Sequence, residues 1–429
     1  MKKIYKVLML ILAGGSGTRV YPLTANRPKP GISFGARLKL VDIPLSNGLN
    51  SDISHIYVIV QNQADYLSNH FLGYHTGISQ MRGEFINVLG PSGEEHGLFK
   101  TDADSILKLK SRILEHDFDV VVLCMADQIV KCDFRPVIEQ LINTDADAAV
   151  VYKTVTLDEA RGRLGVLKVE RTKVRGFDEK PENPEPIEVD SNKCLANTAM
   201  YAMTKKAFKD MVNAMSHHHV HNKNLSSTGI TWLCENRDVI AFNLEDASTS
   251  DLSKDELGYF ADTGTIRSYF DTSMDLLKRP AGFNLYSSTW PIYTKASWPN
   301  SAAKLDCVNI NGIILGLNTI LQDQVTVNSG IVSDGVEIKK NTKIEYSILL
   351  PNSKIGENVY LKNVIVDEEV NIPKGINLSG DKPPKNVQNQ EEILSLLKTN
   401  KFIPKIPVFS EGVLVIPEGI DFKKWKPEY

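Results

Sequence analysis

Residues Val7–Thr24 read VLMLILAGGSGTRVYPLT, and the fold is decided there. Val7–Leu12 is an unbroken apolar run of strand length, the texture of a strand buried on both faces. A turn carrying Gly14, Gly15 and Gly17 follows at once. Glycines in such a turn remove the Cβ atoms that would keep backbone N–H groups away from a phosphate chain. Thr18 and Arg19 come next, then Arg27-Pro28-Lys29-Pro30, so Arg19 and Lys29 supply positive charge for phosphates. Two other glycine loops do not fit. A dinucleotide fingerprint from Gly15 needs glycine where Val20 stands, and a Walker A loop ends in Gly-Lys-Ser/Thr, which is absent. A plain tight turn stays open for the glycines taken alone. Lys2, Lys3 and Lys6 ahead of Val7–Ala13 imitate a secretion signal, but the glycine loop and Arg19 directly behind favour a first buried strand.

Outward from this run, strand-like and helix-like stretches alternate. His55–Gln61, Asp119–Met125 and Ala146–Thr154 read as strands, and Asp104–Glu115 and Lys205–Met215 as helices. The pattern predicts an α/β unit, a Rossmann-like, mostly parallel sheet wrapped by helices. Ligands in such sheets bind beyond the carboxyl ends of strands, where the loops after Leu12 and Met125 belong. The texture shifts near Arg279. Arg279–Asn300, rich in Pro, Ser, Tyr and Trp, reads as an ordered connector. From Val308 to Leu378, Ile and Val recur at short intervals with Gly, Asn and Asp at the corners, an irregular hexapeptide-like period that predicts a parallel β-helix. Antiparallel hairpins remain the alternative on period alone. Within the tail Asp381–Tyr429, Gln390–Lys398 predicts a short amphipathic helix. The expected division is 1–280 and 281–429.

The 429 residues carry 49 Lys+Arg against 52 Asp+Glu, a net charge of −3 with no long basic run, which gives no electrostatic case for nucleic acid. No apolar stretch is long enough to span a bilayer, so no membrane partner is expected. Cys124, Cys132, Cys194, Cys234 and Cys307 are scattered and never spaced as CxxC, which speaks for reduced thiols in a cytoplasm rather than zinc or disulfides.

The glycine run with Arg27–Pro30 closely resembles the sugar-1-phosphate nucleotidyltransferases. Leu40–Asn50 (LVDIPLSNGLN) is similar to their glucose-1-phosphate adenylyltransferase branch, and the resemblance extends over nearly the whole chain. It implies an enzyme with a left-handed parallel β-helix after its nucleotidyltransferase domain. The implied reaction joins ATP to glucose 1-phosphate with release of pyrophosphate, for glycogen-type glucan synthesis. It also implies Mg²⁺ held by Asp127 and Asp262, two hard carboxylates suited to that ion. Arg19, Lys29, Asp127 and Lys180 take catalytic places. Lys180 is implied on the sugar phosphate and Glu179 on sugar hydroxyls, roles their chemistry suits. Gly165 and Asn197 fall beside the sugar, and Gln61, Phe99 and Asp104 near the nucleotide, with Gly14, Gly15, Gly17 and Thr18 around it. Without the resemblance, a helix N-cap at Asp127 and a solvated pair at Glu179-Lys180 stay open. A homotetramer, or a hetero-oligomer with a paralogous subunit, is implied, with anion contacts from basic residues in Lys339–Lys354 and the tail.

The chain also departs from the family. Thr101-Asp102-Ala103-Asp104-Ser105 stands for Gly-Thr-Ala-Asp-Ala, with Phe99 for the tyrosine before it, and Leu89–His96 lacks the paired glutamines. Ala126-Asp127-Gln128 stands for Gly-Asp-His, Asn197-Thr198-Ala199 for Ser-Met-Gly, and Ala261 for the arginine before Asp262. No Asp-Phe-Gly segment occurs in Val220–Leu233. These changes leave open an altered nucleotide or sugar, or a non-catalytic regulatory subunit. His217, His218, His219 and His221 read as a solvated loop rather than a metal site. An acyltransferase of the hexapeptide type is disfavoured, since no histidine follows His221.

Overall fold

A computed structural model describes residues 5–15, 17–61, 63–72, 74, 82–91, 99–217, 224–247, 252, 256–295, 302–306, 308–399, 403 and 405–429. Cys307, His218, His219 and His221 lie outside them, as does part of Leu89–His96. The chain forms two compact units interleaved in sequence. One comprises Met1–Gly15, Ile43–Phe260 and Ser287–Tyr293, and the other Ser16–Asp42, Ala261–Tyr286 and Thr294–Tyr429.

The first unit is built on a nine-stranded sheet. Its strands are β1 (Val7–Ala13), β2 (His55–Val60), β3 (Phe85–Leu89), β4 (Val120–Met125), β5 (Ala148–Thr156), β6 (Val166–Glu170), β7 (Lys173–Asp178), β8 (Lys193–Thr204) and β9 (Val239–Asn243). Their order is β3-β2-β1-β4-β8-β5-β9-β7-β6. The β3-β2-β1-β4 half is parallel throughout. Beyond it β8 runs antiparallel to both neighbours, so the sheet is mixed where strand–helix alternation alone predicted a mostly parallel one. Leu8, Met9, Leu10 and Ile11 are fully buried, as a strand between two parallel partners requires. The helix α1 (Asp102–Glu115) starts at Thr101, whose Oγ1 accepts from Asp104 N at 3.2 Å. A second helix, α2 (Lys205–His217), follows β8.

The second unit is a stack of parallel rungs. Asn309 pairs with Thr326, Thr326 with Lys343, Lys343 with Tyr360 and Tyr360 with Asn377, a step of 17 residues each time. Three aliphatic ladders run through it, and all their members are fully buried: Val327-Ile344-Leu361-Leu378, Leu321-Ile338-Ile355-Ile372 and Val332-Leu349-Val366-Ile416. The parallel register excludes the hairpin alternative for these rungs. Asn318, Asn341, Asn352, Asn358 and Asn363 turn corners with left-handed backbones, a conformation asparagine tolerates. This unit also carries the α-helices α3 (Ile266–Asp275) and, as expected, α4 (Gln390–Lys398). Lys340 and Lys343 are paired with Glu357 at 3.6 Å and Glu345 at 2.7 Å. Among the described residues no helix is long and apolar enough to cross a membrane.

Candidate functional site

The first unit gathers polar groups beyond the carboxyl ends of its central strands. Ala126 N donates to Leu12 O at 3.0 Å, which aligns the loop carrying Asp127 with the end of β1. Gln61, just past β2, accepts from Gly15 N through Oε1 at 3.0 Å and donates through Nε2 to Lys100 O at 3.2 Å. One amide thus ties the glycine turn to the segment leading into α1. Asp104 is fully buried. It accepts from Lys100 N at 2.9 Å and pairs with Lys108 at 3.0 Å. Phe99 is buried too, with Lys108 Nζ 5.8 Å from its ring centre. A Cβ on Gly14 would touch the Cα of Asp102 at 3.5 Å, so the helix start lies against the turn.

Asp102 is the group that sequence reasoning did not single out as a site residue. Its Oδ1 accepts from Ala103 N at 2.8 Å and Leu225 N at 3.0 Å. Burial pushes its carboxyl above the usual range, and the Glu179 carboxylate adds to the effect. Asn224 Nδ2 donates to Glu179 Oε1 at 3.1 Å. Tyr201 Oη accepts from Asn197 Nδ2 at 2.8 Å and lies 3.3 Å from Ser226 Oγ. Ser226–Ile230 is a π-helical turn, a local form frequent at functional sites. The Asn224-Leu225-Ser226-Ser227 cluster was the available signal, since such residues favour turns and local hydrogen bonds over regular helix.

Gly165, Glu179, Lys180 and Asn197 come together. Asn197 N donates to Gly165 O at 2.8 Å. A Cβ on Gly165 would stand 2.6 Å from Phe177 Cζ and 3.2 Å from Glu179 Oε2, so only glycine fits. Lys180 Nζ lies 4.0 Å from Glu179 Oε1. The β8–β5 register shifts between Asn197 and Met200, with Ala199 left-handed and its N–H bound to Asn197 Oδ1 at 2.9 Å. This bulge re-aims the strand at the altered Asn197-Thr198-Ala199 segment. Gln128 Nε2 donates to Thr198 O at 2.6 Å and ties the residue after Asp127 to the same bulge.

The second unit holds another set. Gly17 is left-handed, and a Cβ there would meet Thr24 Cγ2 at 2.9 Å. Lys29 Nζ lies 3.8 Å from Asp262 Oδ1. A Cβ on Gly264 would stand 2.8 Å from Asp262 Oδ2 and 3.3 Å from Arg19 Nη2. Arg19 and Asp262, distant in sequence, therefore meet at Gly264, with Lys29 on the other oxygen of Asp262. Two cations and a carboxylate in this arrangement suit phosphate oxygens and a hard divalent cation. Thr18 opens the short helical turn Thr18–Val20 that carries Arg19.

A family model described as nucleotidyl transferase matches residues 8–279, and one described as GlmU-like, C-terminal hexapeptide matches 303–388. The chain is 31% identical to a glucose-1-phosphate adenylyltransferase of Geobacter metallireducens over 87% of its length and 92% of that protein. It is 31% identical to one of Trichlorobacter lovleyi, over 86% of this chain and 90% of that protein. It is 29% identical to one of Arthrobacter sp., over 86% and 81%.

Proposed function

Since the chain belongs to the nucleotidyl transferase family, we propose that it is a glucose-1-phosphate adenylyltransferase, converting ATP and glucose 1-phosphate to ADP-glucose and pyrophosphate. The gathering of Arg19 and Lys29 around Asp262 carries this reading, and the names of the similar proteins supply the substrates. A phosphate oxygen of glucose 1-phosphate attacks the α-phosphorus in line, and the bond to the pyrophosphate leaving group breaks. The nucleophile is already an anion at neutral pH, so positioning and charge stabilisation do the catalysis. Arg19 and Lys29 take the charge that develops on the leaving pyrophosphate. Gln61 holds the glycine turn in place, Lys180 binds the sugar phosphate, and Glu179 accepts from sugar hydroxyls.

Asp127 and Asp262 are the residues that would hold Mg²⁺. Asp262 is half exposed. This fits an ion that keeps water and substrate phosphates as most of its ligands. Mg²⁺ would offset charge on the phosphates. We assign the catalytic role to 1–280 and read 281–429 as connector, left-handed β-helix and tail, in a cytoplasmic enzyme assembled as a homotetramer or with a paralogous subunit.

Asp102 favours a second reading. A carboxyl packed beside Gly14, where the family has threonine, calls for a hydrogen-bond donor on the ligand, and so for an altered base or sugar. Pyrophosphate release from a panel of nucleoside triphosphates and sugar 1-phosphates separates the two. ATP with glucose 1-phosphate is expected to be fastest. A faster pair would reassign the substrates, and binding without release by any pair would point to a regulatory subunit.

A further inference from the structure

The segment Ser16–Asp42, which carries Arg19 and Lys29, is part of the same compact unit as the stacked rungs and the tail. Its backbone and side chains are held from that side at several points. Gln390, the first residue of α4, donates through Nε2 to Thr18 O and to Arg19 O, both at 3.3 Å. Its Oε1 is buried with no hydrogen-bond partner among the described residues. In that orientation one side-chain amide serves both carbonyls. Arg27, 2% exposed, bonds Asp367 Oδ1 at 2.7 Å and Glu418 Oε2 at 2.9 Å. Lys39 Nζ and Ser33 Oγ both donate to Glu368 Oε1, at 2.9 and 3.0 Å.

We propose that Gln390 and Arg27 are positioning residues for nucleotidyl transfer. Gln390 fixes the carbonyls of Thr18 and Arg19, Arg27 anchors the loop that leads to Lys29, and together they set where the two phosphate-binding cations stand. The C-terminal part of the chain thereby determines the geometry of the triphosphate subsite. This inference rests on the transferase reading above.

The test uses the full-length protein and the variants Gln390→Ala, Gln390→Glu and Arg27→Lys. Gln390→Ala removes two hydrogen bonds near the surface and should raise the KM for ATP by about three- to tenfold. The KM for glucose 1-phosphate and the melting temperature should stay unchanged. Gln390→Glu, which sets a carboxylate against two carbonyls, should be worse than alanine, and Arg27→Lys should fall between wild type and Gln390→Glu. Unchanged ATP kinetics in Gln390→Ala would overturn the proposal, as would equal losses for both substrates alongside a fall in melting temperature. If the wild type releases no pyrophosphate with any substrate pair, the transferase reading fails, and calorimetric binding of inorganic tripolyphosphate becomes the readout. Weaker binding by Gln390→Ala than by wild type would then support the positioning role, and equal or absent binding would overturn it.

Discussion

Lys180 holds a left-handed backbone, φ 49°, that costs a lysine about 1–2 kcal/mol. Such a conformation persists where the surroundings over-determine it, commonly at ligand sites. Asparagine tolerates the same backbone, so Lys180→Asn removes the charge and keeps the turn. The KM for glucose 1-phosphate should rise about 10–100-fold, the size of a lost charged hydrogen bond, while the urea midpoint stays level or rises as the backbone strain is relieved. A KM within twofold of wild type would remove Lys180 from the sugar phosphate. Gly165→Ala acts by shape instead. Its methyl would press on Phe177 and Glu179, lowering stability by about 1–3 kcal/mol in urea unfolding and raising the same KM. At this scale the loop glycines, Arg19 and Lys29 were conspicuous in the sequence as candidates, because their chemistry is local. Asp102, Tyr201 and Asn224 were not, because burial and the contact with Glu179 arise only when β7, β8 and the π-helical turn pack together.

Periodicity named part of the elements. β1, β2 and β4 and helices α1, α2 and α4 fall where apolar spacing put them. The antiparallel insertion of β8 and the bulge at Asn197 were invisible, since strand direction and register depend on partners far along the chain. One element junction predicts a pH effect. His116, which ends α1, sits 5.3 Å from the His55 ring of β2 and 5.2 Å from Phe85 of β3, centre to centre. Lys205 Nζ donates to its carbonyl, and Asp117 and Lys6 lie near. Burial first, then the His55 charge, holds its imidazole below the ordinary 6.5. The unfolded chain thus takes up its proton at higher pH than the folded one. The stability present above that value falls as pH drops through it, and stops falling below the folded pKa. Unfolding by urea between about pH 7.5 and pH 5 should show this slope, and His116→Phe should flatten it. An unchanged slope would assign the effect to other groups.

For the whole molecule, hexapeptide-like texture and parallel stacking agreed, because a rung's aliphatic residues must recur wherever coils share one core. The interleaving of the two units was not legible. A segment's allegiance depends on buried ion pairs such as Arg27 with Asp367, whose members are 340 residues apart. Burial pushes the Asp367 carboxyl up, and the Arg27 guanidinium opposes it. Asp367→Asn takes from buried Arg27 the nearest of its three carboxylates, leaving Glu418 and Glu368, and should cost about 1–3 kcal/mol in chemical unfolding, and less when made in an Arg27→Met background. Equal losses in the two backgrounds would mean that the pair is not coupled.

The central claim is direct transfer of a nucleotidyl group to a sugar phosphate. It is tested most directly by exchange of labelled pyrophosphate into ATP with Mg²⁺, with and without glucose 1-phosphate. Exchange is expected only when glucose 1-phosphate is present. Exchange in its absence would reveal a nucleotidyl-enzyme intermediate, and no exchange in its presence would contradict transfer to glucose 1-phosphate.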